Sequence, residues 1–164
     1  MSLRTRQAHP VEIRVIAASE TIPLRHAILR NGRPMESARF PGDDEPTTRH
    51  FGAYRGGELL AVASLFAVTM PGRPGEPAFQ LRGMATSPEA QGTGLGKLLL
   101  RAATEFAREK RARLLWCNAR VSASGFYRKL GFEIIGDEFD IPGIGPHFRM
   151  RLPIRPPPGG TSAH

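Results

Sequence analysis

Residues 84–113 read MATSPEAQGTGLGKLLLRAATEFAREKRAR. Gly92, Gly94 and Gly96 crowd the entrance to a segment in which Leu95, Leu98, Leu99, Ala102 and Phe106 recur at spacings of three and four. This predicts a strand end, a glycine-rich turn and then an amphipathic helix. The first N–H groups of a helix have no intrahelical partners and sit at the positive end of its dipole, so Gln91–Lys97 can hold an anion. Two anion-binding patterns fail here. A P-loop would need glycine at Gln91 and a hydroxyl at Leu98 for a magnesium ion, and the dinucleotide pattern would need its third glycine at Lys97.

Outward from this turn, Val11–Ala17 alternates as a half-buried strand, and Ser19 is a plausible N-cap for a helix ended by Gly32, with Pro23 tolerated near its first turn. Residues 33–48 carry three prolines and the acidic run Asp43, Asp44 and Glu45, and predict a solvated loop with at most one short helix. RHFGAYR and ELLAVASLFAVTM flank Gly56-Gly57 as a hairpin, and Ala78–Thr86 adds a further strand. After the long helix come a strand at Arg113–Arg120, a short helix capped by Ser122 with Phe126 and Leu130 on one face, and two strands split by IPGIG. The order mixes an antiparallel front with a β-α-β crossover. It predicts a flexible segment at 1–10, one domain over 11–153 and a disordered Pro/Gly-rich tail at 154–164.

The 23 Lys and Arg against 15 Asp and Glu give a formal charge of +8. Only Lys97, Lys110 and Lys129 are lysines, and the arginines form no tail or arm, which argues against a nucleic-acid surface. No run is long and apolar enough to span a bilayer, and the N-terminus lacks the apolar core of a signal peptide, so a soluble cytoplasmic protein is expected, without membrane partners. The single Cys117 excludes an internal disulfide and a thiolate zinc cluster, and no other metal-ligand spacing is present.

Gln91, Gly94 and Gly96 complete the pattern [QR]-x-x-G-x-[GA], and MATSPEAQG before it and NARVSASGFYRKLGF some thirty residues later extend the match. On these residues the chain resembles the GCN5-related N-acetyltransferase (GNAT) superfamily, closely over 78–152 and in element order over 11–70. The resemblance implies an α/β (α+β) fold: a mixed, mostly antiparallel central sheet of six to seven strands flanked by helices, with a splayed strand pair. It implies an acetyl-coenzyme A-dependent N-acetyltransferase acting by direct attack in a ternary complex, on a primary amine of a small molecule or peptide. Dimers are common among similar proteins, so a homodimer is an open alternative. A noncatalytic acyl-coenzyme A sensing module and a basic nucleic-acid-binding domain are the competing readings.

The same resemblance assigns roles. Gln91, Gly92, Thr93, Gly94, Leu95, Gly96 and Lys97 would hold the cofactor pyrophosphate. Met84, Ala85 and Thr86 would pair with the pantetheine arm where residues 82–86 splay from Leu114–Ala119, and a main-chain N–H there would polarise the thioester carbonyl. Asn118 would bond the pantetheine or the acceptor. Phe126 and Tyr127 would adjoin the cofactor, with the Tyr127 hydroxyl as general acid to the departing thiolate. No residue identifies itself as the base: His147, Glu138, Asp140 and a water chain remain candidates. Arg25, His26 and Arg82 are cations that would suit an acceptor bearing a carboxylate. Cys117, on an apolar strand, reads as core, because direct transfer needs no acyl-enzyme.

Overall fold

In the computed structural model residues 9–158 are described. Seven strands, β1 (Val11–Ile16), β2 (Arg49–Arg55), β3 (Glu58–Phe66), β4 (Ala78–Thr86), β5 (Leu114–Arg120), β6 (Glu133–Ile141) and β7 (Gly145–Pro153), form an open sheet in the order β1-β2-β3-β4-β5-β7-β6. Pairing is antiparallel at β1–β2, β2–β3, β5–β7 and β6–β7 and parallel at β4–β5. The helices are α1 (Ala18–Leu24), α2 (Leu95–Glu109) and α3 (Ser124–Lys129). This is the α/β architecture expected of the GNAT resemblance. Contacts cluster into two compact units, Met1–Phe66 with Gly83–Ala103 and Ala67–Arg82 with Thr104–His164.

In the first unit β2 and β3 form the predicted hairpin through Gly56-Gly57, both at positive φ, with Arg55 opposite Glu58. The run from Leu60 to Phe66 is buried without alternation, as befits a strand covered on both faces. Ile16, Val62 and Ala85 make a core against which Leu24, Ile28 and Leu29 pack. Helix α1 departs from expectation at both ends. Ser19 lies inside it; the N-cap is Ala17, whose N–H donates to the Glu20 carboxylate at 2.8 Å. Pro23 sits past the first turn, and the chain then widens into a π-helical turn, Arg25–Leu29, in which the Arg30 N–H reaches back to the Arg25 carbonyl. Proline removes one rung of the α-helical ladder and crowds the turn before it, so the α-helical part ends soon after Pro23.

That turn delivers Arg25 to the interior. Its side chain is fully buried; Nη1 donates to Asp43 Oδ2 at 2.7 Å and to the Ala38 carbonyl at 3.0 Å, and Nη2 donates to Asp43 Oδ1 and Ser64 Oγ, each at 3.0 Å. The guanidinium also lies 4.0 Å from the Phe40 ring centroid. Asp43 therefore leaves the solvated acidic run expected of it: its carboxylate also accepts from the Phe40 N–H. His50 closes the network. Its Nε2 faces the Asp43 carbonyl, which can only accept, so that nitrogen carries the proton and Nδ1 takes the Ser64 hydroxyl at 2.6 Å. A methyl group at Gly83 would stand 2.9 Å from Arg25 Nε, so β4 passes the cation at a position without a side chain.

In the second unit, the β4–β5 register holds for three pairs, Ala78–Leu114 to Gln80–Trp116, and ends there, although the strands run on to Thr86 and Arg120. Met70, Leu114 and Trp116 form its core with Ala78, and the indole N–H donates to the Val68 carbonyl at 2.8 Å. Helix α3 starts at Ser124 after a 3-10 turn, Val121–Ala123, with Ala123 as N-cap, so Ser122 is not its cap. Its buried residue is Tyr127, whereas Phe126 is exposed. The buried stripe of α2 runs through Leu95, Leu99, Leu100, Ala103 and Ala107, and leaves Leu98 exposed. Ile154, expected in the tail, is buried and its N–H donates to the Arg113 carbonyl; the rest of the expected flexible termini at 1–8 and 159–164 lies outside the described residues.

Burial works to raise the Asp43 carboxyl, but the hydrogen bonds from Arg25 and Phe40 and the Arg25 charge outweigh it and hold the group below its ordinary range. Its stabilisation is therefore present above the ordinary carboxylate pKa and lost as pH falls through the lowered value. Asp43→Ala should destabilise the fold by about 3–5 kcal/mol at neutral pH, because it leaves a buried cation unanswered. Below about pH 4 the wild type should lose stability more steeply than the variant. Urea unfolding across that range checks both; parallel curves of equal stability would show that the pair does not hold the loop.

Candidate functional site

The glycine-rich turn belongs wholly to the first unit. Gln91 Nε2 donates to the Thr86 carbonyl at 3.0 Å, tying the turn back to the end of β4, and the Thr93 hydroxyl donates to the Ala90 carbonyl. Gly92 and Gly94 take φ of 78° and 91°, and a side chain added at either would meet nothing within 4 Å. Their positive φ satisfies the turn and the missing side chains leave it open. The N–H groups of Gln91 and Thr93 bond within the turn and that of Leu98 bonds to the Gly94 carbonyl. Those of Gly92, Gly94, Leu95, Gly96 and Lys97 find no acceptor among the described residues. Five amides at the mouth of a 15-residue helix, with Lys97 and Arg101 exposed beside them, can take up a phosphate. Ala85 points into the core, while Met84 and Thr86 lie on the other face of β4 and are partly exposed.

In the second unit Tyr127 packs edge-on against Phe126 and Phe132, at ring distances of 5.1 and 5.4 Å. Burial, and secondarily the Cys117 thiol beside it, pushes its phenol well above the ordinary tyrosine value. The hydroxyl donates to no acceptor among the described residues. Cys117 is also buried, which pushes its thiol up to about 12 and takes thiolate chemistry away from it.

The opposite face of β5 carries Asn118, which pairs across to Arg149 of β7, and the next pair on that face is Arg120 with His147. His147 is buried, and its Nδ1 faces the Gly145 carbonyl at 2.8 Å, so Nδ1 is the donor and Nε2 is the nitrogen left to exchange a proton. Asn118 Oδ1 is buried with no hydrogen-bond partner among the described residues. The sequence candidates missed Arg149. Alternation along PHFRMRLP sets it on the same face as His147, but its aromatic neighbours come from two other strands whose register only the structure supplies.

The remaining candidates separate. Arg25 is committed to Asp43 within the interior and is not a free cation for a substrate. His26 Nε2 donates to the Arg33 carbonyl at 2.7 Å. Arg82 is partly exposed on β4 in the second unit, and Glu138 and Asp140 are exposed on β6. Among the described residues no group of three or more His, Cys, Asp or Glu could hold a metal, and no helix is long and apolar enough to cross a membrane.

The model of the acetyltransferase (GNAT) family matches residues 20–132. The uncharacterized N-acetyltransferase YitI of Bacillus subtilis (strain 168) is 34% identical over 145 residues, covering 88% of this chain and 97% of the relative. Among solved structures, the IAA acetyltransferase of Bacillus cereus ATCC 14579 superposes with a TM-score of 0.66 at 23% identity, over 88% of this chain and 100% of that one. An aminoglycoside 6'-N-acetyltransferase complexed with coenzyme A gives 0.72 at 13% identity, over 90% of this chain and 99% of that one.

The burial of Cys117 has a direct readout. A thiol that is both inaccessible and protonated should react with an aromatic disulfide reagent at neutral pH only after unfolding in denaturant, when the single thiol of the chain is released. Full labelling of the folded protein within minutes would contradict the burial and make Cys117 a candidate nucleophile.

Proposed function

The chain belongs to the acetyltransferase (GNAT) family and is an acyltransferase, and from that premise we propose that it moves acetyl from acetyl-coenzyme A to a primary amine of a small molecule or peptide. The observation that carries this reading is the turn at Gln91–Lys97, with five unanswered amides and open space over Gly92 and Gly94. Those residues fit a pyrophosphate, and the coenzyme A held by the aminoglycoside acetyltransferase of like fold supports the same donor class. Bound there, the thioester supplies the activated acyl group; the protein supplies position, dipoles and proton management.

Transfer is direct. The neutral amine nitrogen attacks the thioester carbonyl, the new C–N bond forms, the C–S bond breaks, and the acetyl group leaves the sulfur as an amide. One proton leaves the nitrogen and one arrives at the sulfur. Tyr127 is the proposed donor to the sulfur: burial keeps it protonated through the working pH range, and its hydroxyl has no competing acceptor among the described residues. His147, through Nε2, or solvent takes the proton from the nitrogen. Met84, Ala85 and Thr86 at the end of β4 are the proposed pairing edge for the pantetheine arm, with Phe126 as a further contact and Asn118 bonding either the pantetheine arm or the acceptor.

Two variants test this. Gly94→Glu sets a charge and bulk in the open space of the turn and in a backbone conformation that glutamate resists. Calorimetry should show acetyl-coenzyme A binding lost, and unchanged affinity would refute the site. Tyr127→Phe should lower kcat by about a hundredfold with cofactor affinity within a few-fold, read by thiol release over a panel of amines. Full activity would remove Tyr127 as the acid, and binding with no release on any amine would favour a noncatalytic acyl-coenzyme A module.

A further inference from the structure

Among the described residues four arginines bury Nε without an acceptor: Arg25, Arg49, Arg108 and Arg149. At Arg25 and Arg108 the terminal nitrogens meet Asp43 and Glu105, and Arg49 has further contacts. Arg149 differs. Among the described residues its side chain has no ion pair and no hydrogen bond, and its neighbours are the ring faces of Trp116 at 5.8 Å and Phe139 at 5.6 Å. Two residues along β7, on the same face, Arg151 donates to Glu133 at 3.0 Å. The sheet therefore provides a carboxylate for one arginine of this face and two aromatic rings for the other. Aromatic faces attract a guanidinium but accept none of its in-plane N–H bonds, so they orient the group and leave its donors unspent.

The residue directly across the strand from Arg149 is Asn118, whose Oδ1 is buried and also unpartnered. Side chains of such a pair stand within a few ångströms of one another, roughly 5 Å between Cβ atoms. One ligand must then offer an anion to the guanidinium and an N–H donor to the amide oxygen, only a few bonds apart. A phosphate or a bare carboxylate supplies the first and not the second. An aminocarboxylate supplies both, and its planar carboxylate matches the fork of the guanidinium.

We propose that Arg149, bracketed by Trp116 and Phe139 and set beside Asn118, is the subsite for the carboxylate of an amino-acid-like acceptor. This rests on the transferase reading above and names its substrate class. Arg149 then takes the part expected of Arg25, whose charge is already neutralised by Asp43.

The test uses the single tryptophan of the chain, which lies against the proposed subsite. Trp116 emission is titrated with the common free amino acids and, for each that responds, with its carboxamide; the same pairs are then assayed for thiol release from acetyl-coenzyme A. At least one free acid should give a saturable change, with its carboxamide at least about tenfold weaker in both assays. Arg149→Met should bind acid and carboxamide alike, Arg149→Lys should retain a reduced preference for the acid, and both should still bind coenzyme A in calorimetry. Equal response to acid and carboxamide, no response to any acid, or an undiminished preference in Arg149→Met would overturn the proposal. These failures are separable from failure of the transferase reading. Emission can report the subsite when no thiol is released, and thiol release on uncharged amines would leave the transferase reading intact while the subsite fails.

Discussion

A charge taken out of water must be answered, and in the first unit that requirement organises everything around Arg25. The π-helical turn after Pro23 brings the cation inside; Asp43 neutralises it, the Ala38 carbonyl and Ser64 take its remaining terminal donors, and Phe40 covers its face. One side chain thereby joins a helix, a loop of some sixteen residues with little regular structure, and β3, while His50 extends the network into β2. The loop cannot drift without uncovering an ion pair whose members are exposed by 0% and 8%. Gly83 extends the same constraint to β4, because any side chain there would strike Arg25.

The polar groups left unanswered among the described residues are of two kinds, exposed and buried. The first unit closes around Arg25 yet leaves five amides of the glycine turn open. The second closes Arg151 with Glu133 and the Trp116 indole with Val68, yet leaves Asn118 Oδ1 and the Arg149 guanidinium without hydrogen-bond partners among the described residues. Exposed amides cost little because water serves them, whereas the buried Asn118 oxygen and Arg149 Nε have no such relief. A turn that water can fill suits a mobile, highly charged pyrophosphate, and a buried unpaired oxygen beside a cation suits a small ligand bound in one orientation.

The glycine turn, the Gly56-Gly57 hairpin and the succession of elements along the chain were legible in sequence because each rests on local rules: backbone conformations that glycine takes without cost, and alternation with period two or 3.6. Errors arose where a competitor acted through space or through the backbone. Ser19 has the better capping side chain, but Glu20 bonds the Ala17 N–H and sets the helix start earlier. Phe126 and Leu130 share a helical spacing, but in a helix of six residues the side of the sheet it faces decides which aromatic is buried, and that is Tyr127. Arg25 and Asp43 are eighteen residues apart and each reads as solvated in its own neighbourhood. Arg149 became visible only once the registers of β5 and β6 against β7 brought Trp116, Phe139 and Asn118 around it.

Tyr127 shows how burial bears on the proposed proton path. An acid whose phenol is held above the ordinary tyrosine value donates a full proton uphill to a thiolate whose conjugate acid has a pKa near about 8.5. Its effective act is then a hydrogen bond to the sulfur as charge develops, with the proton passing over only as solvent or the nitrogen's proton restores the phenol. The overall reaction still balances, because the attacking amine must shed the proton that the sulfur gains. The same burial removes Tyr127 from the alkaline limb of a rate profile: the phenol remains protonated where free tyrosine would ionise. A rise in rate with pH therefore belongs to loss of the proton from the acceptor ammonium or to deprotonation of its base. The unassigned base and the acceptor's own basicity are thus one chemical question, and an acceptor whose amine is partly neutral at working pH needs the protein only to hold it and to take up its proton after attack.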